Sequence, residues 1–252
     1  MSTTPATPLF YHSPVVLNSA EHREWKLRPL PGVGFTSKAH AVMLLAHEFF
    51  DAAREFPIVF IRDGETIMPI VMLGLSEGEN LYTDNSGRWY ARYIPAYIRR
   101  YPFILSEPVD GQTYLAVDQA CEAVVTDGGD GQRLFDAEGN ATDALKTIQE
   151  FVSQFQDSYN LTKQYTRTLD ELGLFREMSL KAVMKTDGAE HNLTGFLVID
   201  EEKLQNLPDD KIVELHKTGA LRGIHTHLFS LGNVNLLIER QAARKPAASK
   251  TA

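Results

Sequence analysis

The chain has 252 residues, 43% of them hydrophobic, and a formal net charge of -8 from 33 acidic and 25 basic side chains. The negative balance argues against non-specific binding of the whole molecule to nucleic acid or anionic lipid. The lone cysteine, Cys121, excludes an intrachain disulfide and a multi-cysteine zinc site, and no run of ~20 apolar residues offers a helical membrane span.

The N-terminal MSTTPATPLFYHSP has neither a basic n-region nor an apolar h-region, so no Sec-type leader is read there. The expectation is a soluble cytoplasmic protein without a cofactor. Residues 1–9 and 242–252 read as flexible tails around a single domain, 10–241.

In chain order, the prolines Pro14, Pro29 and Pro31 limit the first part to short extended pieces, Pro14–Leu17 and Trp25–Arg28. Thr36 or Ser37 then suits an N-cap. The spacing of Ala39, Val42, Met43, Ala46, Phe49, Phe50 and Ala53 predicts a helix from Ser37 to Arg54, stopped before Pro57. Ile58–Arg62 and Thr66–Leu73 flank Asp63–Gly64 as a hairpin, with Pro69 marking an edge or a bulge. A further strand is read at Asn80–Thr83. It leads into the aromatic segment Tyr82–Phe103, where Pro95 opens a short helix and Pro102 ends it. Phe103–Ser106 and Thr113–Val117 form a second hairpin around Pro108–Gly111. A turn at Ala137–Asn140 closes this half.

From Thr142 to Leu172 the set Leu145, Ile148, Val152, Phe155, Tyr159, Thr162, Thr166 and Leu169 steps by threes and fours. This predicts the longest helix, ended by Gly173. Its seam either packs on the chain's own sheet, the preferred reading, or pairs with a second copy as a homodimer through 142–172. Strands Ser179–Lys185 and Leu193–Ile199 follow around Asp187–Gly188. After them come a helical turn capped by Asp200, a helix opening at Pro208, and helices lined by Leu221, Ile224, Leu228 and Leu231 and continued over Val234–Ile238. The fold class is α+β: antiparallel hairpins mixed with helices, one long helix near the middle, and a helical C-terminal third.

Several segments in this order, among them RPLPGVGF, MLGLSEGENLY, GRWYARYIPAYIRRYPFIL, LFDAEGN and LTGFLVIDEEKLQNLPDDKIVELHKTGALRGIHTHLFSLGN, resemble the bacterial SapC family. The family is named for a surface-layer locus. The resemblance implies a bacterial protein connected with the cell envelope or a small-molecule pathway, and it supplies no catalytic residues to carry over.

Candidate sites are each weighed against a structural role. His40, His47 and Asp51 fall on one flank of the first predicted helix, and HEFFD is an incomplete form of the HExxH zinc motif. A polar helix flank is preferred. On a helix His225 and His227 diverge, which disfavours a metal site, and His225 is expected beside the apolar stripe. TDGGDG, residues 126–131, lacks the order of an EF-hand loop and reads as an exposed turn. Cys121 reads as a buried or idle thiol. No G-x-S-x-G signature is read in the chain, so a serine hydrolase is not expected.

That leaves Arg88, Trp89, Arg92, Tyr93, Tyr97, Arg99, Arg100 and Tyr101 as the candidate binding residues. Tyr and Arg stack on one another and are enriched at interface hot spots. The segment reads as a structural hub first and a recognition surface second. The functional expectation is a non-catalytic binding or assembly protein, tied to envelope, surface-layer or export processes, with a protein or peptide partner. An enzyme or enzyme-accessory protein acting on a small anionic or aromatic metabolite is the alternative.

Overall fold

A computed structural model describes residues 8–84, 86–106, 111–183 and 190–244. The expected turn residues 108–110 and 187–188, and most of both expected tails, lie outside this range. The main body is a five-stranded antiparallel sheet. Its hairpin, β4 (Ile58–Asp63) and β5 (Thr66–Met72), forms as the Asp63–Gly64 turn predicts, with Ile58 opposite Val71 and Asp63 opposite Thr66. On one side β4 meets β11 (Glu190–Ile199), which pairs in turn with β10 (Phe175–Val183). On the other side β5 pairs with β3 (Ala41–Met43).

That last strand corrects the sequence reading. Instead of one helix over 37–54, the chain forms a 3-10 turn at Gly34–Thr36, strand β3, a second 3-10 turn at Ala46–Glu48, and only then the single-turn α1 (Phe49–Ala52). The apolar spacing is compatible with a helix, but Val42-Met43-Leu44-Leu45 also reads as a strand, and the sheet decides. Without β3 the edge of β5 would leave its backbone groups unpaired, and β3 also buries Val42 to 2% exposure. The sheet has a second surprise at Pro69. It sits in a strand with neighbours on both sides, where pairing with β3 stops at Ile70 and the Pro69 carbonyl still accepts from Leu44 N–H at 2.9 Å. The expected strand at 80–83 reduces to one bridge, Thr83 to Trp89, because Asn80 is buried and donates to the Thr36 carbonyl at 3.0 Å.

Two small antiparallel sheets complete the first half. One joins β1 (Pro14–Val16), β7 (Leu115–Asp118) and β6 (Phe103–Leu105); the other joins β8 (Val124–Val125), β2 (Lys26–Leu27) and β9 (Gln132–Arg133). Before β6 comes the single-turn α2 (Ala96–Arg99), opened by Pro95.

The long helix α3 (Asp143–Glu171) starts where the Thr142 hydroxyl accepts from Leu145 N–H. The predicted seam is the buried face: Leu145, Val152, Phe155, Thr162, Thr166 and Leu169 all point inward. It packs against β5 and β6 of this chain. The threonines that break the apolar repeat have a use there. Thr162 Oγ1 accepts from Ala46 N–H at 2.9 Å, and Thr166 donates to the Ile67 carbonyl at 2.7 Å. Each holds the helix in register with the sheet while its own hydroxyl stays satisfied.

After β11, Asp200 caps α4 (Glu201–Gln205) by accepting from the N–H groups of Glu202 and Lys203. The C-terminal helices are α5 (Asp209–Lys217), α6 (Ala220–Ser230) and α7 (Val234–Ala243). Helix α6 lies against β4, β11, α1 and α5. The core is one continuous cluster running from Phe10 and Tyr11 through the sheet to Ile224 and Leu237.

Candidate functional site

The aromatic segment is chiefly internal. Tyr97 and Tyr101 on and after α2 are 6% and 8% exposed, and Ile98 beside them is 1% exposed. The Tyr101 ring lies 4.3 Å from that of Phe35, and Tyr97 packs toward Phe10 and Phe155. Trp89 is half-buried, stacked on Tyr82, with its indole N–H donated to the Tyr93 carbonyl at 2.9 Å.

Three of the segment's four arginines take separate stacking partners. Arg88 lies over Tyr90, Arg99 over Phe151 and Tyr93, and Arg100 between Tyr97 at 4.3 Å and Phe155 at 4.4 Å. Arg92 is exposed, and its backbone N–H donates to the Glu55 carboxylate. Arg100 has no acidic partner among the described residues, so the ring faces supply its electrostatic complement.

What fixes this segment is a carboxylate that the sequence reading passes over. Glu48 is 1% exposed and receives Leu45 N–H at 2.9 Å, Ala96 N–H at 2.7 Å and the Tyr93 hydroxyl at 2.5 Å. One side chain thus caps the 3-10 turn before α1 and the start of α2 together. Burial, and then the Glu48 carboxylate, push the Tyr93 hydroxyl well above the usual phenol range. Asp118 does similar work elsewhere. It is fully buried and accepts from the N–H groups of His12, Ser13 and Ala120.

The remaining sequence candidates resolve as follows. His47 and Asp51 are both exposed, on the second 3-10 turn and α1, while His40 precedes β3. Among the described residues no group of His, Cys, Asp and Glu could hold a metal ion. Cys121 is buried, and burial pushes its thiol up. In the 126–131 loop the Gly129 carbonyl accepts from Lys26 Nζ at 2.7 Å.

The histidine pair reverses its expected roles. His225 is exposed, and His227 is the buried one. His227 Nδ1–H donates to the Ile58 carbonyl at 2.8 Å, while Nε2 accepts from Ile199 N–H at 3.1 Å. The imidazole therefore bridges β4 and β11 where their own ladder is down to the single pair Phe60–Leu197. Ser230 accepts from Ile58 N–H, and Asn233 donates to the carbonyls of Ala53 and Phe56. The spacing His227, Ser230, Asn233 puts one residue per helical turn on the face toward β4. Burial pushes the His227 pKa down to about 4.

A groove of about 1170 Å³ lies between α1, α3, α5 and α6. Phe50 and Leu161 stand in it at 65% and 64% exposure, two large apolar side chains open within one cavity. Its floor holds Tyr165, whose hydroxyl is buried without a hydrogen-bond partner, and burial alone raises that hydroxyl's pKa. Gly223 makes room for it, since a Cβ there would stand 2.9 Å from the phenol oxygen. Of the charges around the groove, Asp51 pairs with Arg54, Glu171 with Arg167 and Lys211 with Glu214. His47 and Arg222 are left with no ionic partner among the described residues.

A second recess, of about 560 Å³, joins Tyr90 of the aromatic segment to Arg240 and Arg244 of the C-terminal helix. Arg240 lies 4.3 Å over the Tyr82 ring and Arg244 pairs with Glu79 at 3.0 Å. Asp84 lines the same recess. Hydrogen bonds from Ser86 and Tyr90 hold its carboxyl well below the usual range.

Two features lie outside the sequence reading. Tyr165 falls between the seam positions of the long helix and carries no motif. Ser76, hydrogen-bonded to His191 at 2.8 Å, corrects the sequence reading, which found no G-x-S-x-G: Gly74-Leu75-Ser76-Glu77-Gly78 fits that spacing.

In comparisons with known proteins, a family model described as SapC matches residues 17–237. No curated protein and no solved structure matches the chain.

Proposed function

The chain belongs to the SapC family, and from that premise we propose a binding and assembly protein that captures a protein or peptide partner of the cell envelope in the groove between α1, α3, α5 and α6. The observation that carries this reading is the pairing of Phe50 and Leu161, two large apolar side chains exposed within one cavity. From Leu161 to Leu172 the α3 wall runs about 16 Å at 1.5 Å per residue, room for roughly three turns of a partner helix. An amphipathic segment laid there would cover the two side chains. The unpaired Arg222 at the rim favours a partner with carboxylates beside its apolar residues.

The aromatic segment supports the same reading from beneath. Through Glu48 it braces the turn that carries His47 and Phe50. Its exposed arginines, Arg88, Arg92 and Arg99, offer a second surface, and the two surfaces can be told apart. Tyr97 does not serve for this, because at 6% exposure its removal would report on packing.

In affinity capture from host envelope extract, the double variant Phe50→Glu, Leu161→Glu is expected to lose the partner by at least about tenfold, since two buried anchors are each worth more than about 1 kcal/mol. Its thermal midpoint should match the unaltered chain. Arg99→Ala is expected to retain capture. Equal recovery with the double variant and loss with Arg99→Ala would transfer the site to the arginine surface.

A further inference from the structure

We infer that Ser76 is a nucleophile activated by His191, giving the chain a hydrolytic activity toward small neutral esters. The inference stands apart from the groove, with which Ser76 and His191 share no lining position.

The argument starts with the loop. Gly74–Asn80 leaves β5 and returns at Leu81, whose N–H donates to the Leu73 carbonyl at 2.7 Å. Gly74 N–H bonds the His40 carbonyl and Asn80 N–H the Ser37 carbonyl, so both feet are tied to the same stretch. The chain crosses itself so closely that a Cβ on Gly74 would stand 2.2 Å from the Glu79 carbonyl oxygen. Gly78 has φ +76°, in the left-handed region. Glu79 is further fastened to Arg244 at 3.0 Å. The two glycines of the G-x-S-x-G spacing therefore frame a tight turn after β5 that holds Ser76 in one position, although among the described residues no helix directly follows it as in the serine-hydrolase elbow.

At that position Ser76 Oγ lies 2.8 Å from His191 Nδ1, within reach for proton transfer. Both residues are half-buried, which leaves a face open to substrate. With Nε2 protonated, Nδ1 accepts the serine proton. The N–H groups of Glu77 and Gly78 take no acceptor among the described residues, and the residue after the nucleophile is the usual donor to a developing oxyanion on such a turn.

The step balances without another reagent but water. Ser76 Oγ bonds to the ester carbonyl carbon as its proton passes to His191 Nδ1, and the carbonyl π pair moves to oxygen. Collapse expels the alcohol, which takes the proton from Nδ1. Water then attacks the acyl-serine, again through Nδ1, and releases the acid and free Ser76. Glu77, next to Ser76 in the chain and without an ionic partner among the described residues, disfavours an anionic substrate, while Glu190 is paired with Lys181.

The test treats the full chain with an alkyl fluorophosphonate probe and maps the adduct by mass spectrometry. One adduct on Ser76, formed with loss of fluoride, is expected. Ser76→Ala should abolish it, and His191→Gln should slow it roughly 100-fold, the scale of a lost general base. Turnover of p-nitrophenyl acetate should exceed that of the anionic p-nitrophenyl hemisuccinate. An unlabelled but folded wild-type chain would overturn the inference whatever the variants do. So would an adduct that survives Ser76→Ala, or a wild-type labelling rate in a folded His191→Gln.

Discussion

Replacing His227 with alanine is expected to lower folding stability by about 4 kcal/mol, or roughly 10 °C in thermal midpoint for a chain of this size. The change removes the partner of the Ile58 carbonyl and of Ile199 N–H together, at a site with no solvent exposure. Each orphaned backbone group costs on the order of 1–3 kcal/mol, and the vacated ring space beside Phe60 adds a cavity. The same residue sets a pH dependence. Burial lowers its folded-state pKa to about 4, below the ordinary 6.5, so between these values the unfolded chain binds the additional proton. The stability due to neutral His227 is complete above pH 6.5 and is lost as pH falls toward 4, by about 3 kcal/mol in all. Other groups titrate in the same window, so the informative quantity is the difference between wild-type and His227→Gln unfolding profiles. A difference that stays flat from pH 7 to about 4 would contradict the bridging role.

Removing Glu48 is the second large effect. Glu48→Ala orphans Leu45 N–H, Ala96 N–H and the Tyr93 hydroxyl at once, and about 4 kcal/mol of destabilisation is expected. Glu48→Gln preserves the volume but turns an amide NH2 toward one of these donors, so about half that loss should result. Near-ultraviolet circular dichroism reports it through Trp89 and Tyr93, which the carboxylate positions. If the alanine variant proved as stable as the glutamine one, the triple acceptor role would be wrong.

Both residues show what the amino-acid pattern can and cannot carry. The β4–β5 hairpin, the α3 seam and the Asp200 cap were legible because each is a local code: a turn dipeptide, a repeat of threes and fours, a side chain bonding its own next turn. The stretch 37–54 was not, because Val42 to Leu45 satisfies both periodicities and only a partner 30 residues away, β5, selects the strand. Glu48 stood inside HEFFD, where the metal motif drew attention to His47 and Asp51. Nothing local signals that the glutamate's three donors come from its own turn and from 45 to 48 residues further on.

The histidines teach the same lesson. Helical geometry correctly separates His225 from His227, but which one faces inward depends on where α6 meets β4. Within HTHLFSLGN, part of the family resemblance, His227 and Ser230 bond to Ile58 of that strand and Asn233 to the carbonyls of Ala53 and Phe56 just before it. The groove was invisible for a further reason. Its walls come from α1, α3 and α5–α6, far apart in sequence, and Phe50 and Leu161 look like ordinary helix residues until their exposure is seen.

The central claim is that Phe50 and Leu161 are covered by a partner in the cell. Site-specific photo-crosslinking tests it directly, with benzoylphenylalanine at Leu161 in the groove and, for comparison, at Tyr114, which is 44% exposed beside the β6–β7 hairpin. A discrete crosslinked species from position 161, absent from position 114 and lost when Phe50→Glu is added, is the predicted result. Only background from position 161, or the same species from both positions, would contradict it.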